Sequence, residues 1–575
     1  VPDEINILVG GEAGQGVQSV GAILAKALAG GGLHVFADQD YESRVRGGHN
    51  FFRVRAGRRQ ILAVKYGLDL LVALNRETVD LHRKEVKKGG LIIFDEEQPN
   101  ACPKGVNFIC MPLVKLAEEK AGNKLMANTV AVGAVLGLAG YDLKLLAPVL
   151  ESEFGRHGKN VVKDNLAAAG AGYDFVREHG RKLAFPAIRQ RAGGPRRLLL
   201  SGNDALSLGA MAAGCRFIAA YPMTPASSIM EYMADKGRAY GVVTVHVEDE
   251  IAGMNMAIGA GFAGARSMIA TSGGGFALMV EGLALAGMTE TPVVAFLGQR
   301  PGPATGLPTR TEQAELFFAL HAGHGEFPRA VLAPATAEDA FHAAVRAFNL
   351  AEKYQTPVII LGDHHLSTSY TTVDRFDLGK VKIERGALVE GEAAGLTDYK
   401  RHKVTRSGIS PRALPGQGKA LVVTDSDEHD EAGHMIEDAA TRNQQVEKRL
   451  RKLAGLQREV TRPELHRAEG AKVTLIGWGS TYGAIREAAA TLAEAGQAVD
   501  TLHLTQVWPF PATAVAAAMR GQKNIVVEGN ATGQLARLIR RETGLEVDGA
   551  ILRYDGRPHA PEDIVSRLRK EVKSW

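Results

Sequence analysis

The sequence predicts an α/β protein built from several parallel-sheet domains. Three segments open alike, with a short apolar strand, a glycine-containing turn and then a helix. They are Ile5–Val9 before Gly10-Gly-Glu-Ala-Gly-Gln-Gly16, Leu198–Leu200 before Ser201-Gly-Asn203, and Val473–Ile476 before Gly477-Trp-Gly479. The 66 glycines fall mostly at such strand–helix junctions, where a backbone can approach a ligand. A chain of 575 residues exceeds a single core and predicts several domains.

The first opening starts a domain over residues 1–190. It ends at Ala192-Gly-Gly-Pro195-Arg-Arg, which reads as a linker. The second domain, 195–378, carries strands at Val242–Val247, Ser267–Ala270, Val293–Leu297 and Val358–Leu361. From 379 to 469 the α/β rhythm lapses. A charged helix, Val446–Leu456, places Val446, Leu450 and Leu453 on one face and predicts a solvated connector. The last domain, 470–575, has strands Val473–Ile476, Asp500–Leu504 and Asn524–Val527, with a helix at Ala484–Ala495.

A hydrophobic content of 45% and charged content of 23% are those of an ordinary soluble protein. The net charge of +4 gives no argument for nucleic acid or a membrane surface. No apolar run reaches the roughly 18 residues of a membrane span, and Val1-Pro-Asp-Glu4 lacks the features of a signal peptide. Cys102, Cys110 and Cys215 are few and unpaired in spacing. They point to a reducing compartment, the cytoplasm, and away from an iron–sulfur cluster or structural zinc held by this chain alone.

The densest chemistry begins at Tyr221-Pro-Met-Thr-Pro-Ala-Ser-Ser228. Pro222 and Pro225 fix two φ angles and hold Thr224 on a stiff turn, where its hydroxyl and nearby amides can donate to a carboxylate. A helix starting near Ala226 would let Thr224, Ser227 or Ser228 act instead as its cap. Glu248-Asp-Glu250 then precedes a small-residue helix, Ile251–Ala265. Glu248 and Glu250 would share one side of an extended strand. A partly buried carboxyl there can hold or pass a proton, although an acidic first turn is also what a helix dipole favours.

Thr271-Ser-Gly-Gly-Gly275 follows a strand, and its backbone amides suit an anion. Arg300-Pro-Gly-Pro-Ala-Thr-Gly-Leu-Pro-Thr-Arg310-Thr-Glu-Gln313 lies at a strand's carboxyl end, where α/β sheets hold ligands, and offers two guanidiniums for a carboxylate. Gly14-Gln-Gly-Val-Gln-Ser-Val-Gly21 departs from a dinucleotide fingerprint. Asp425-Ser-Asp-Glu-His-Asp-Glu431 with His434 collects metal-type ligands in a stretch that reads as a loop, yet no metal site is assigned to it.

The Tyr-Pro-Met-Thr-Pro loop followed by Glu-Asp-Glu-Ile-Ala resembles the pyrimidine-binding domain of thiamine-diphosphate enzymes, specifically the α subunit of 2-oxoacid:ferredoxin oxidoreductases. The segment Tyr41-Glu-Ser-Arg-Val-Arg-Gly-Gly-His-Asn50 is similar to the γ subunit of those enzymes. The end of the chain resembles a transketolase C-terminal domain, and Tyr554-Asp-Gly-Arg-Pro558 matches family α subunits. The resemblance covers nearly the whole chain as a γ region fused before an α region.

It implies Glu250 as the catalytic carboxyl against the cofactor's pyrimidine, with Tyr221, Pro222, Ser272 and Gly273 beside it. Thr224 and Arg310 would bind the 2-oxo acid, Arg300 standing second. Arg44, Arg46, Gly47 and Gly48 would face coenzyme A. A Gly-Asp-Gly motif is missing, Gly362-Asp363-His364 being the nearest. The family arrangement therefore implies a β subunit that shares the thiamine diphosphate and carries Mg2+ and a 4Fe-4S cluster. Two such chains and two β chains would form a heterotetramer that reduces ferredoxin. The implied substrate is 2-oxoglutarate, with pyruvate or branched-chain and aryl 2-oxo acids as alternatives. A non-catalytic assembly subunit is the rival class.

Overall fold

The computed structural model describes residues 3–42, 48–95, 107–179, 188, 197–389 and 395–572. The chain forms two compact units. One comprises Val1–Leu200, Ser369–Phe376 and Ala560–Glu562, and the other Ser201–Thr368, Asp377–His559 and Asp563–Trp575.

The first unit is organised around an eight-stranded sheet. Its spatial order is Phe108–Met111, Val86–Asp95, Leu68–Ala73, Glu4–Glu12, His49–Gly57, His34–Asp40, Tyr370–Val373 and Leu198–Ser201. Glu4–Glu12 pairs in parallel with Leu68–Ala73 and antiparallel with His49–Gly57, so the sheet is mixed rather than purely parallel. Tyr370–Val373 falls within the second domain predicted from sequence. It instead pairs antiparallel with His34–Asp40, and Val35 N–H donates to Thr372 Oγ1 at 3.0 Å. Helices Ala127–Leu138 and Lys159–His179 cover the core through glycine contacts: a β-carbon on Gly133 would lie 1.9 Å from Ala169 O. Only glycine permits that approach.

The second unit carries two sheets. The larger runs Gln506–Trp508, Ala330–Leu332, Pro357–Asp363, Val293–Gln299, Arg266–Ser272, Cys215–Ala220 and Val243–His246. It is parallel except at Gln506–Trp508, an antiparallel edge strand contributed by the C-terminal region. Val293–Gln299, Arg266–Ser272 and Pro357–Asp363 are buried at every residue, as strands covered by helices on both faces should be. The smaller sheet runs Glu464–His466, Asp500–Leu504, Val473–Trp478, Lys523–Glu528 and Gly549–Leu552. One apolar core joins the two sheets, with Leu297, Val331 and Leu361 packed in the same cluster as Trp478, Leu502 and Leu535.

The connecting segment corrects the sequence expectation most strongly. Its helix spans Ala439–Arg458 and buries Lys448, Arg449 and Lys452, while the apolar positions 446, 450 and 453 are only partly covered. Glu290, at 0% exposure, collects the buried cations. Lys448 Nζ and Lys452 Nζ each lie 2.5 Å from its carboxylate, and His402 Nδ1 lies 3.0 Å away. Burial opposes ionisation of Glu290, but Lys452 and Lys448 outweigh it and hold the carboxyl well below its usual range. Arg401 donates to the Glu290 carbonyl at 2.6 Å and to Gln355 Oε1 at 2.9 Å.

The acidic run near residue 430 serves the same segment. Glu428 takes two hydrogen bonds from Arg449, each 2.8 Å, and Glu431 accepts from the Val404 amide at 2.7 Å. Among the described residues no group of three or more His, Cys, Asp or Glu side chains is placed to hold a metal ion. No helix there is long and apolar enough to cross a membrane. Cys110 is disulfide-bonded, which departs from the reduced state expected from the number and spacing of the cysteines, whereas Cys215 is free and buried.

Candidate active site

The carboxyl ends of the parallel strands in the larger sheet of the second unit converge on one set of loops. Thr224 and Pro225, joined by a cis peptide, follow the strand Cys215–Ala220. Asn203 Nδ2 anchors the turn by donating to Pro225 O and Ser228 Oγ, both at 2.8 Å. The helix beyond it spans Ser227–Lys236 and has no side-chain cap, so Thr224, Ser227 and Ser228 are not used in that way. Tyr221 is exposed, its ring set edge-on to His246 at 6.2 Å, and Pro222 is exposed beside it.

The strand before the acidic run ends at His246, so Glu248 and Glu250 do not share an extended face. Asp249 caps the following helix by accepting from the Ala252 amide at 2.8 Å, and Glu250 is its first residue. Glu248 is exposed while Glu250 is buried at 3% exposure, and Thr271 Oγ1 stands 3.4 Å from Glu250 Oε1.

The glycines of Ser272-Gly-Gly-Gly275 explain how two carboxyls fit against one turn. A β-carbon at Gly275 would lie 2.3 Å from Glu250 Oε1. One at Gly273 would lie 1.5 Å from Glu315 Oε1. At Gly274 nothing is within 4 Å. Ser272 Oγ and Glu315 Oε2 are buried and have no hydrogen-bond partner among the described residues.

Arg300 donates to the Thr224 carbonyl at 2.7 Å, which ties the two loops together. Arg310 is half-buried on the loop that Thr311 and Gln313 secure. Thr311 N–H donates to Gly556 O at 3.1 Å. Gln313 Nε2 donates to Trp478 O at 3.0 Å, and its Oε1 accepts from the Gly529 amide at 2.9 Å. The Tyr554-Asp-Gly-Arg-Pro558 motif therefore acts as a brace for the arginine loop. Asp363, in the incomplete Gly-Asp-Gly sequence, is also a brace: it accepts from Leu366 N–H at 2.9 Å and Ser480 Oγ at 2.5 Å.

Two polar groups missed in the sequence belong to the same rim. Glu315 is pushed up to about 8 by burial, against the pull of Arg300 and with repulsion from Glu312. His364 is pushed down to about 3 by burial, with His365, Arg310 and Arg300 adding to the effect. The available sequence signal for Glu315 was its place five residues after Arg310 in a loop dense with polar side chains. Of the remaining predicted residues, Arg44, Arg46 and Gly47 lie outside the described residues. Gly48 has φ 81° and packs against Glu42, whose Oε2 would be 2.5 Å from an added β-carbon.

Three family models match. Residues 208–448 match the thiamine-diphosphate-binding domain of pyruvate flavodoxin/ferredoxin oxidoreductase, 6–175 match pyruvate ferredoxin/flavodoxin oxidoreductase, and 471–564 match core domain II of pyruvate:ferredoxin oxidoreductase. Fold and site thus define an oxidoreductase chain with a thiamine-diphosphate-binding domain.

The chain belongs to the α-subunit family of 2-oxoacid:ferredoxin oxidoreductases. It is 34% identical to the α subunit from Sulfolobus sp, over 98% of this chain and 96% of that one. It is 35% identical to 2-oxoglutarate synthase subunit KorA of Methanothermobacter thermautotrophicus, over 64% of this chain and 98% of the relative. The 2-oxoglutarate:ferredoxin oxidoreductase of Magnetococcus marinus, solved with 2-oxoglutarate, coenzyme A and succinyl-CoA bound, superimposes with a TM-score of 0.90. That match has 34% identity and covers 99% of this chain and 100% of the other.

Proposed function

We propose that this chain works with a separate β subunit to convert 2-oxoglutarate and coenzyme A into succinyl-CoA and carbon dioxide. Two electrons pass to ferredoxin, or the reaction runs in reverse as a reductive carboxylation. The observation that carries this reading is the buried Glu250 beside the glycines of Ser272-Gly-Gly-Gly275, with Arg300 holding the Thr224 carbonyl at 2.7 Å. The similarity to the Magnetococcus enzyme supports 2-oxoglutarate over pyruvate or branched-chain and aryl acids.

The residues present fit the pyrimidine half of thiamine diphosphate. Ser272 Oγ is buried without a partner among the described residues, and Gly274 beside it is open, with nothing within 4 Å of an added β-carbon. When bound, thiamine diphosphate supplies the carbon nucleophile and the electron sink for decarboxylation. Glu250 holds a proton at its carboxyl against the pyrimidine edge, with Tyr221, Pro222, Ser272 and Gly273 around it. Arg310, seconded by Arg300, takes the substrate carboxylate through a charge-assisted pair, and Thr224 adds a hydroxyl donor. Arg44, Arg46, Gly47 and Gly48 would bind coenzyme A.

The β subunit would share the cofactor and carry Mg2+ and a 4Fe-4S cluster, in a cytoplasmic assembly of two chains of each kind. The test is purification with and without the β chain, measuring iron, bound thiamine and turnover of 2-oxoglutarate and pyruvate together. The assembled enzyme should contain both groups and prefer 2-oxoglutarate. The isolated chain should be colourless and bind thiamine diphosphate poorly. An iron–sulfur absorption band in the isolated chain, or preference for pyruvate, would overturn the corresponding part.

A further inference from the structure

Glu315 and Glu250 are seated on the same glycine turn, one over Gly273 and the other over Gly275. Their surroundings differ. Glu250 has Thr271 Oγ1 against Oε1 at 3.4 Å, whereas Glu315 Oε2 is enclosed with no donor among the described residues. The backbone of Glu315 is fixed by a 3.0 Å hydrogen bond from its amide to Gln299 Oε1, and Gln299 is itself held on Gly362 O at 3.0 Å. The charges that act on the carboxyl are Arg300, which favours its ionised form, and Glu312, which opposes it. Arg300 is near enough to favour the Glu315 anion, yet its guanidinium is turned to the Thr224 carbonyl.

We propose that Glu315 is a positioning residue for the 2-oxo acid: held as a neutral acid over Gly273, it leaves the Arg300 charge to the substrate carboxylate. An ionised Glu315 would neutralise Arg300 and repel an anionic substrate. A buried anion lacking a partner is costly, and protonation removes that cost. Burial, the absence of a donor and the neighbouring Glu312 all favour the proton, while Arg300 alone opposes it. The inference rests on the substrate role proposed for Arg300.

The experiment uses the assembled enzyme with 2-oxoglutarate between pH 7 and 9. In the unsubstituted enzyme KM should rise as Glu315 ionises through about 8, approaching about tenfold per pH unit at the one-proton limit. In Glu315→Gln, KM should be independent of pH over that range. Infrared difference spectra provide a readout independent of turnover: a protonated-carboxyl band should fade with the same midpoint and be missing in Glu315→Gln.

The proposal is overturned if Glu315→Gln keeps the alkaline rise, or if the band is missing from the unsubstituted enzyme at pH 7. Arg300→Lys separates the two levels of inference. A raised KM at pH 7 supports both. An unchanged KM with the infrared band intact means that Arg300 does not hold substrate, and the proposal falls with that reading although Glu315 is protonated.

Discussion

The carboxylate of Glu290 and the carboxyls of Glu250 and Glu315 are all buried, and they are treated in opposite ways. Glu290 lies against two lysines and a histidine. Across the glycine turn, Glu315 Oε2 and Ser272 Oγ have no partner among the described residues. Burial by itself therefore says little about function. A buried charge whose oxygens are all met by cations from the fold is spent on structure. A buried polar group that the fold leaves unmet is where a ligand belongs.

The largest expected effect breaks the paired side. Glu290→Gln strands Lys448 and Lys452 without a counter-charge, and loss of one partner from such a cluster costs about 3–5 kcal/mol. Urea denaturation of the purified chain measures it, and a change below 1 kcal/mol would show that the network does not close the connecting segment. The pH dependence follows from the depressed Glu290 carboxyl. Its stabilisation is present above the ordinary value of 4.5 and is lost as pH falls through the lower folded value.

At the glycine turn, Glu250→Gln should lower turnover of the assembled enzyme by at least ~100-fold while stability stays close to that of the parent. Glu248→Gln, at an exposed position, serves as the control; a greater loss there would reverse the assignment. Arg310→Lys comes next. Lysine keeps the charge and loses the two-pronged geometry, worth about 1.5–3 kcal/mol, so KM for the 2-oxo acid should rise roughly tenfold to a hundredfold. Thr224→Val should act on the same step. Normal 2-oxo acid KM values in both variants, with altered coenzyme A saturation, would make this a thiol-substrate pocket.

The smallest effect sharpens the comparison. Gly274→Ala meets nothing within 4 Å and should change stability by less than about 0.5 kcal/mol. Gly273→Ala and Gly275→Ala must displace Glu315 and Glu250 and should impair turnover. Equal tolerance at all three positions, measured by melting temperature and kcat, would remove the argument that the glycines make room for carboxyls.

Local pattern carried much of the fold. Strands such as Val293–Gln299 and Pro357–Asp363 are buried apolar runs long enough to read directly. Two other strands are illegible in the sequence because Tyr370–Val373 and Gln506–Trp508 are short and take their partners from remote parts of the chain. The helix at Ala439–Arg458 departs from its local pattern for a related reason. Its lysines resemble a solvated face until Glu290, 158 residues away from Lys448, is brought against them. Thr224, Glu250 and Arg310 stood out within local motifs. Glu315 did not, because its character comes from Gly273 and Arg300 rather than from its neighbours in sequence.

The edge strand Gln506–Trp508 has a consequence for how the protein is made. The larger sheet of the second unit remains unfinished on the ribosome until residue 508 emerges, leaving Ala330–Leu332 with an open flank in the meantime. The sheet of the first unit likewise waits for Tyr370–Val373. Synthesis thus interleaves the two sheets in time. A gene split near residue 470 would release a chain with a bare strand edge, prone to join other copies of itself before its other half arrives.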